Sequence, residues 1–388
     1  MTDADLRILC RHLQVPVSTV VAAPGRINLI GEHVDYNDGF VLPMAIDRQV
    51  VVASGIRKAT SLCRVRSLQL DDEFELDSRS NTQDVEPGSW QAYIRGVIAG
   101  FLELGVEIPG FDAVIHSTLP LGSGLSSSAA LEVAVATMLE QLTGQILEPV
   151  DKALLCHRAE NEFVGVPCGV MDQFTSVFAE ANNLLLLDCQ TRQCRQIPFS
   201  NGDVSFLVAN TNIKHQLSDS KYSERRSECD AAIQKIGKNS WREVTKADVE
   251  DQSAMPLNER LRAKHIVTEI ERTLQAVKSL EHGDFEAFGK RMLQSHESLR
   301  DDFQVSCAEL DALVEIASCI GLEGGIYGSR MTGGGFGGCT ISLIETSQSD
   351  TIIRKMSKDY HANTGLELTC FMTRPSDGAR ALPKPVTA

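Results

Sequence analysis

The chain lacks most of what would place it outside ordinary globular proteins. Its 388 residues contain no C-x-x-C pair and no N-x-S/T acceptor. No apolar run approaches the ~20 residues that span a bilayer, and the longest leucine stretch is Leu184 to Leu187. Positive charge is in deficit: 37 Lys and Arg against 52 Asp and Glu leave a net charge of −15. A field of that sign repels nucleic acid and anionic membranes, which argues against a nucleic-acid or membrane partner. The first residues, MTDADLRILCRHLQ, do not run from charged through apolar to small as a secretory signal does. Eleven cysteines are present, but they are scattered and odd in number, unlike a disulfide framework or a zinc cluster. They read as small buried residues in a reducing compartment, so the cytoplasm is the expected location. No internal repeat or low-complexity tract interrupts the sequence.

What is present fits a globular protein able to bury its own core, with 43% hydrophobic and 23% charged residues. At roughly 150 residues per domain, two or three domains are expected. A division into 1–199 and 200–388 is expected, because the second half is more helical and more charged. VVAAPGRINLIGEH opens with an apolar run that stops at Pro24-Gly25 and reads as a strand entering a loop. Residues 48–56 and 111–120 read as strands, and 182–200 as two strand-like pieces. Helical spacing marks 89–104, 130–142 and 149–164, the last with Pro149 suited to a first turn. The spacing predicts further helices over 257–280 and 284–320. A Gly-rich segment then leads into a strand at 339–344, and the tail at 379–388 is expected to fray. Strands and helices mix without strict βαβ alternation, so the fold class is α+β.

Four segments carry chemistry. GRINLIGEHVDYNDGFVLP (25–43) packs Arg26, Glu32, His33 and Asp35 into ten residues of otherwise apolar and turn-forming sequence. Taken singly, each reads as a solvated surface charge. Together they supply the donors and acceptors that a polyhydroxylated ligand needs, since each unpaired buried polar group costs about 1–3 kcal/mol. In LPLGSGLSSSAALEV (119–133), Gly122 and Gly124 permit close backbone approach. Ser126, Ser127 and Ser128 stand at the mouth of a helix whose free N–H groups suit phosphate. A plain Ser-capped helix is the alternative. No Lys follows the second glycine, so this is not a Walker A loop. MTGGGFGGCTISL (331–343) matches G-x-G-x-x-G at Gly333, Gly335 and Gly338, yet it runs into a strand where a dinucleotide fingerprint opens a helix. It reads as a second backbone loop beside the phosphate site, or as a simple turn. In HRAENEFVGVPCGVMDQF (157–174), Glu160 lies on a predicted helix. Asp172 follows a Pro-Cys-Gly turn, where it is either a helix cap or a base whose ionised form can accept a hydroxyl proton.

These residues resemble the galactokinases, within the wider group of small-molecule kinases that act on galactose, homoserine, mevalonate and phosphomevalonate. Residues 25–43 resemble the galactokinase signature, 119–130 the group's phosphate loop, 333–338 its third motif, and PCGVMDQF (167–174) the catalytic segment. The resemblance implies an N-terminal domain like the second domain of ribosomal protein S5, a ferredoxin-like C-terminal domain, and a site in the cleft between them. It implies ATP-dependent phosphorylation of galactose at the anomeric hydroxyl, with Asp172 and Arg26 as catalytic residues. Glu32, His33, Val34, Asp35, Gly169 and Tyr222 would hold the sugar. Gly122, Ser123, Gly124, Leu125, Ser126, Ser127 and Ser128 would wrap the ATP phosphates. Ser67 and Trp90 would line the adenine pocket, and Ser128 with Glu160 would hold Mg²⁺. A monomer with no protein partner is expected. A non-catalytic galactose sensor and a kinase for N-acetylgalactosamine or another sugar remain as alternatives, although SGLSSSAA is full length where sensors have a shortened serine loop.

Overall fold

The β-branched run at 48–56 forms part of a long strand near the middle of a six-stranded sheet, where such side chains pack well on a pleated surface. The computed structural model describes residues 3–80, 86, 88–120, 122–214 and 218–384. In chain order the first half comprises α1 (Asp3–Cys10), β1 (Thr19–Asn28), β2 (Phe40–Val41), β3 (Pro43–Ile56), β4 (Leu62–Ser67) and β5 (Asp72–Asp77). It continues with α2 (Trp90–Glu103), β6 (Phe111–Ser117), α3 (Ser127–Thr143), α4 (Pro149–Arg158), α5 (Met171–Phe178), β7 (Asn183–Asp188) and β8 (Gln193–Pro198). The second half comprises β9 (Val204–Lys214), α6 (Ser218–Ile236), α7 (Lys246–Glu250), α8 (Leu257–Glu281), α9 (Phe285–Ser298) and α10 (Ala308–Ile320). It ends with β10 (Ile326–Thr332), β11 (Gly337–Glu345), α11 (Ser349–Thr364), β12 (Thr369–Thr373) and β13 (Arg380–Ala381).

The larger sheet runs β13-β1-β3-β6-β4-β5, antiparallel except for the β4–β6 pair. The four-stranded antiparallel sheet has the order β10-β11-β9-β12. With β9 as its first strand this is the 2-3-1-4 arrangement of a ferredoxin-like domain, with helices between its first and second and between its third and fourth strands. A small sheet, β2-β7-β8, lies beside the larger one. One apolar core joins the lobes, since Val21, Phe101 and Leu139 of the first share a cluster with Phe206, Met292 and Ile341 of the second. On the far side of the larger sheet, α1 buries Leu6 and Leu9 on Val20, Val51 and Val114. The fold is therefore α+β.

The structure corrects four local expectations. The strand at 19–28 does not stop at Pro24-Gly25 but continues to Asn28 through a bulge between Pro24 and Arg26. Proline has no ladder donor and is tolerated at such a bulge. There the Arg26 N–H leaves the ladder and donates to the Leu125 carbonyl at 3.1 Å. The tail is held down as far as it is described: Arg380 and Ala381 pair with β1, and Leu382 N–H donates to Val20 O at 2.8 Å. Residues 385–388 lie outside the described residues. The helix expected over 149–164 ends in a π-helical turn at Ala159–Val164, and the stretch 284–320 is broken between Phe303 and Ala308.

One buried carboxylate ties the second lobe to the 25–43 segment. Glu269 on α8 accepts hydrogen bonds from the Gly31 N–H at 2.9 Å and the Ser295 hydroxyl at 2.5 Å, and it pairs with Arg272. Its desolvation is outweighed by Arg272 and neighbouring positive groups, and the carboxyl is held down at about 2. Replacing it by alanine leaves a buried cation and a buried backbone donor without their acceptor. We predict that Glu269→Ala destabilises the protein by about 3–5 kcal/mol, read from urea unfolding. A loss below about 1 kcal/mol would show that the contact holds nothing in place.

Candidate active site

Arg26, turned inward by the bulge in β1, meets Asp172 from the first turn of α5 in a two-pronged ion pair. Its Nε donates to Oδ1 and its Nη2 to Oδ2, both at 2.7 Å, while Nη1 donates to the Gly124 carbonyl at 2.8 Å. Parallel pairs of this kind fix orientation as well as charge. Burial opposes the guanidinium charge, but Asp172, Glu32 and Asp35 outweigh it and keep Arg26 protonated. Ser126 completes the cluster. It takes the left-handed conformation (φ 59°) at the mouth of α3, and its hydroxyl donates to Asp172 Oδ2 instead of capping its own helix. The first N–H groups of α3 receive no side-chain cap from Ser126, and that terminus attracts anions.

The phosphate loop and the third motif lie against each other. Gly122 and Gly124 have φ of 68° and 73°, a conformation that L side chains rarely adopt. A Cβ on Gly333 would lie 3.0 Å from the Gly124 carbonyl, and one on Gly338 would lie 3.1 Å from that of Ser123. The Cys339 thiol donates to that same Ser123 carbonyl at 3.3 Å. The 333–338 segment thus forms a turn packed directly on residues 123 and 124. The remaining predicted loop residues have internal duties: the Leu125 carbonyl accepts from Arg26, and the Ser123 hydroxyl donates to Pro120 O. Ser127 is the first residue of α3.

On the other wall stand the 25–43 residues. Glu32 is almost wholly buried, with Oε1 accepting from the Gly333 N–H at 3.0 Å and Oε2 from Arg330 at 2.7 Å and Asn28 at 3.1 Å. Burial pushes its carboxyl above the usual range, against the pull of Arg330 and Arg26. His33 is buried and its basicity is pushed down to about 3, chiefly by desolvation, so the ring is neutral. Its Nδ1 lies 2.9 Å from the Tyr36 hydroxyl, and the Tyr222 ring from α6 sits 5.5 Å from its own. Asp35 lines the same wall, and a Cβ on Gly169 would collide with its carboxylate. That contact explains why position 169 carries no side chain. Arg26, Glu32, His33, Asp35, Asp172 and Tyr222 line one cleft of about 360 Å³, within the size range of small-molecule sites.

Three predicted residues lie elsewhere. The Val34 side chain belongs to the core with Val41 and Phe174, as an apolar β-branched group should, and only its backbone stays near the loop. Ser67 ends β4 and accepts from the Leu70 N–H at 3.3 Å. Trp90 opens α2 and donates to Asp72 at 2.9 Å, with its ring edge-on to Phe74. Both flank Asp72, because Ser67 pairs with it across the β4–β5 ladder. Glu160, on the π-helical turn, is buried and accepts from Gln173 at 2.6 Å, from the Cys168 thiol at 3.4 Å and from the Ser128 hydroxyl.

Sequence reasoning missed Arg330, Gln173 and Glu132. Arg330 is fully buried, pairs with Glu32 and donates to the Asn28 carbonyl at 2.9 Å. Its one signal was a charge at the start of an otherwise uncharged strand-and-glycine stretch.

The environment of Asp35 gives a pH test. Burial, then Asp172 and Glu32, push its carboxyl up to about 7, against Arg26. The folded chain therefore holds this proton more tightly than the unfolded chain. The associated stability is present in full below the ordinary value of 3.8 and is lost as pH rises through 7. We predict that Asp35→Asn gains urea midpoint relative to wild type between pH 5 and pH 8 in ligand-free protein; a constant difference would falsify the assignment.

Comparison with known proteins agrees with this geometry. The galactokinase galactose-binding signature matches residues 12–55, the N-terminal domain of GHMP kinases matches 92–180, and their C-terminal domain matches 276–362. The Homo sapiens galactokinase is 42% identical over 93% of this chain and 92% of its own length. The galactokinase of Roseiflexus sp. (strain RS-1) is 43% identical over 95% and 94%. The crystal structure of Lactococcus lactis galactokinase complexed with galactose superposes with a TM-score of 0.89 at 31% identity, covering 98% of this chain and 97% of that one. The mevalonate kinase of Methanococcus jannaschii, at 19% identity and a TM-score of 0.64, shares the fold. With more than two fifths of its residues shared with galactokinases along nearly its full length, the chain belongs to the galactokinase family.

Proposed function

We propose that the protein transfers the terminal phosphoryl group of ATP to the anomeric hydroxyl of galactose, giving galactose 1-phosphate and ADP. The observation that carries this reading is the Arg26–Asp172–Ser126 cluster, which puts an acidic side chain, a buried cation and the 122–128 loop within hydrogen-bond reach of one another. The sugar fits between Asp172 and the wall of Glu32, His33, Asp35, Gly169 and Tyr222. The ATP phosphates fit over Gly122 to Ser128, with the adenine toward Ser67 and Trp90. Asp172 accepts the hydroxyl proton as the sugar oxygen bonds to phosphorus and the bond to ADP breaks. Arg26 stabilises the charge on the transferring group and fixes the orientation of Asp172. Little covalent work falls to the protein, so positioning and charge stabilisation dominate.

Ser128 and Glu160 fit Mg²⁺, because their hydroxyl and carboxylate oxygens already meet and form the hard-oxygen set this ion prefers. Among the described residues no group of three His, Cys, Asp or Glu could hold a metal ion. Phosphates and water then complete the shell, as is usual for Mg²⁺. The ion supplies neutralisation of phosphate charge. The division into 1–199 and 200–388 separates the two lobes up to the tail, which returns to the first. A monomer is the simplest state, and eleven free cysteines fit a reducing compartment such as the cytoplasm. Among the described residues no helix is long and apolar enough to cross a membrane.

A non-catalytic sensor is disfavoured by the Arg26–Asp172 pair and the full-length serine loop. The test is ADP release with a panel of sugars at fixed ATP, where galactose is expected to turn over faster than N-acetylgalactosamine or arabinose. Asp172→Asn is expected to lower kcat by about 10²–10⁴ while calorimetry still detects galactose binding. Unchanged turnover in that variant would remove Asp172 from the chemistry.

A further inference from the structure

Behind Glu160 lies a second carboxyl that the proposed chemistry does not use. Ser128 and Glu132 are four residues apart on α3 and so lie on one side of the helix. Ser128 meets Glu160, while Glu132 is wholly buried beneath. Gln173 follows Asp172 on α5 and is equally buried. Its Nε2 donates to Glu132 Oε2 at 3.0 Å and to Glu160 Oε2 at 2.6 Å. A primary amide has two N–H donors, so this group is fully committed to bridging two acids. Rotating the amide by half a turn would set its oxygen against both carboxyls, so the bridge admits one orientation.

The two acids differ in their surroundings. Glu160 accepts from Ser128, Cys168 and Gln173, whereas among the described residues Glu132 accepts from Gln173 alone. Burial, then Glu160, push the Glu132 carboxyl well above the usual range, against Gln173. Burial raises both carboxyls, that of Glu160 against its donors Ser128, Cys168 and Gln173 and that of Glu132 against Gln173. Its depth keeps Glu132 behind Glu160, where it gives Gln173 a fixed far end.

Resting on the assignment of Glu160 to Mg²⁺ made above, we infer that Glu132 and Gln173 form a positioning relay, in which Glu132 orients the Gln173 amide and the amide orients the Glu160 carboxylate. Neither residue touches the ion. Groups that orient a metal ligand are commonly worth about 10–100-fold in metal affinity.

The test uses the full chain with ADP and reads Mn²⁺ binding from the free-ion electron paramagnetic resonance signal, with galactose affinity by calorimetry alongside. Gln173→Leu and Glu132→Leu are expected to weaken Mn²⁺ binding about 10-fold or more, with galactose affinity kept within about twofold. Glu132→Gln still offers an acceptor to Gln173 and is expected to stay near wild type. Wild-type Mn²⁺ affinity in Gln173→Leu, when Glu160→Ala has lost it, would overturn the relay and leave the metal assignment standing. Wild-type affinity in Glu160→Ala would overturn that assignment and the relay with it. If Gln173→Leu does not fold, Gln173→Asn removes the reach but keeps the polarity. It should lose Mn²⁺ and retain galactose, and loss of both together would also overturn the relay.

Discussion

The site is held in shape by a buried ion pair that reaches across almost the whole sequence. Glu32 and Arg330 meet at 2.7 Å with their side chains out of solvent. Removing one partner of such a pair typically costs about 3–5 kcal/mol, because the other charge is left buried and alone. Here the pair also sets geometry. The second oxygen of Glu32 takes the Gly333 N–H, and Arg330 reaches the Asn28 carbonyl. The 25–43 segment and the 333–338 turn are thereby joined. Since that turn in turn rests on the carbonyls of Ser123 and Gly124, the glycine-serine loop takes its place from the same contact.

A second arrangement follows from charge crowding. Asp35, Glu32, Asp172, Glu160 and Glu132 all lie in or behind one cleft of a chain with net charge −15. Arg26 and Arg330 are the cations that meet this cluster directly. The structure handles the excess acid by sorting. Asp172 is paired, Asp35 and Glu132 are pushed toward neutrality, and Glu160 is surrounded by donors. In the proposed reaction that sorting would let one acid serve a hydroxyl while another serves a cation, although their intrinsic chemistry is almost the same.

The sequence made the architecture legible where periodicity was strong, as in the helices at 90–103, 127–143 and 257–281 and the strands at 43–56 and 111–117. It also marked Arg26, Glu32, His33 and Asp35 by their density of donors and acceptors, while Asp172 stood out through the resemblance of its segment to a catalytic motif. The path of the chain through Pro24 stayed hidden, because a bulge is decided by the partner strand and by Leu125, a hundred residues away. Arg330 and Glu269 were invisible for a similar reason: a lone charge in a strand or helix looks solvated until the fold supplies its partner. Val34 shows the converse, since its neighbours in sequence face the cleft while its own side chain faces the core.

The last described strand has a further consequence. β13 covers the outer edge of β1, and Ser376, Gly378 and Leu382 bond to Ala45, Ala179 and Val20. During synthesis that edge of the N-terminal sheet therefore stays open until Arg380 and Ala381 have been made and have returned to it. An open edge of that kind invites pairing with another nascent chain. A chain cut ahead of Arg380 would thus keep every residue of the cleft lining and yet leave the β1 edge bare for a neighbouring chain to pair with.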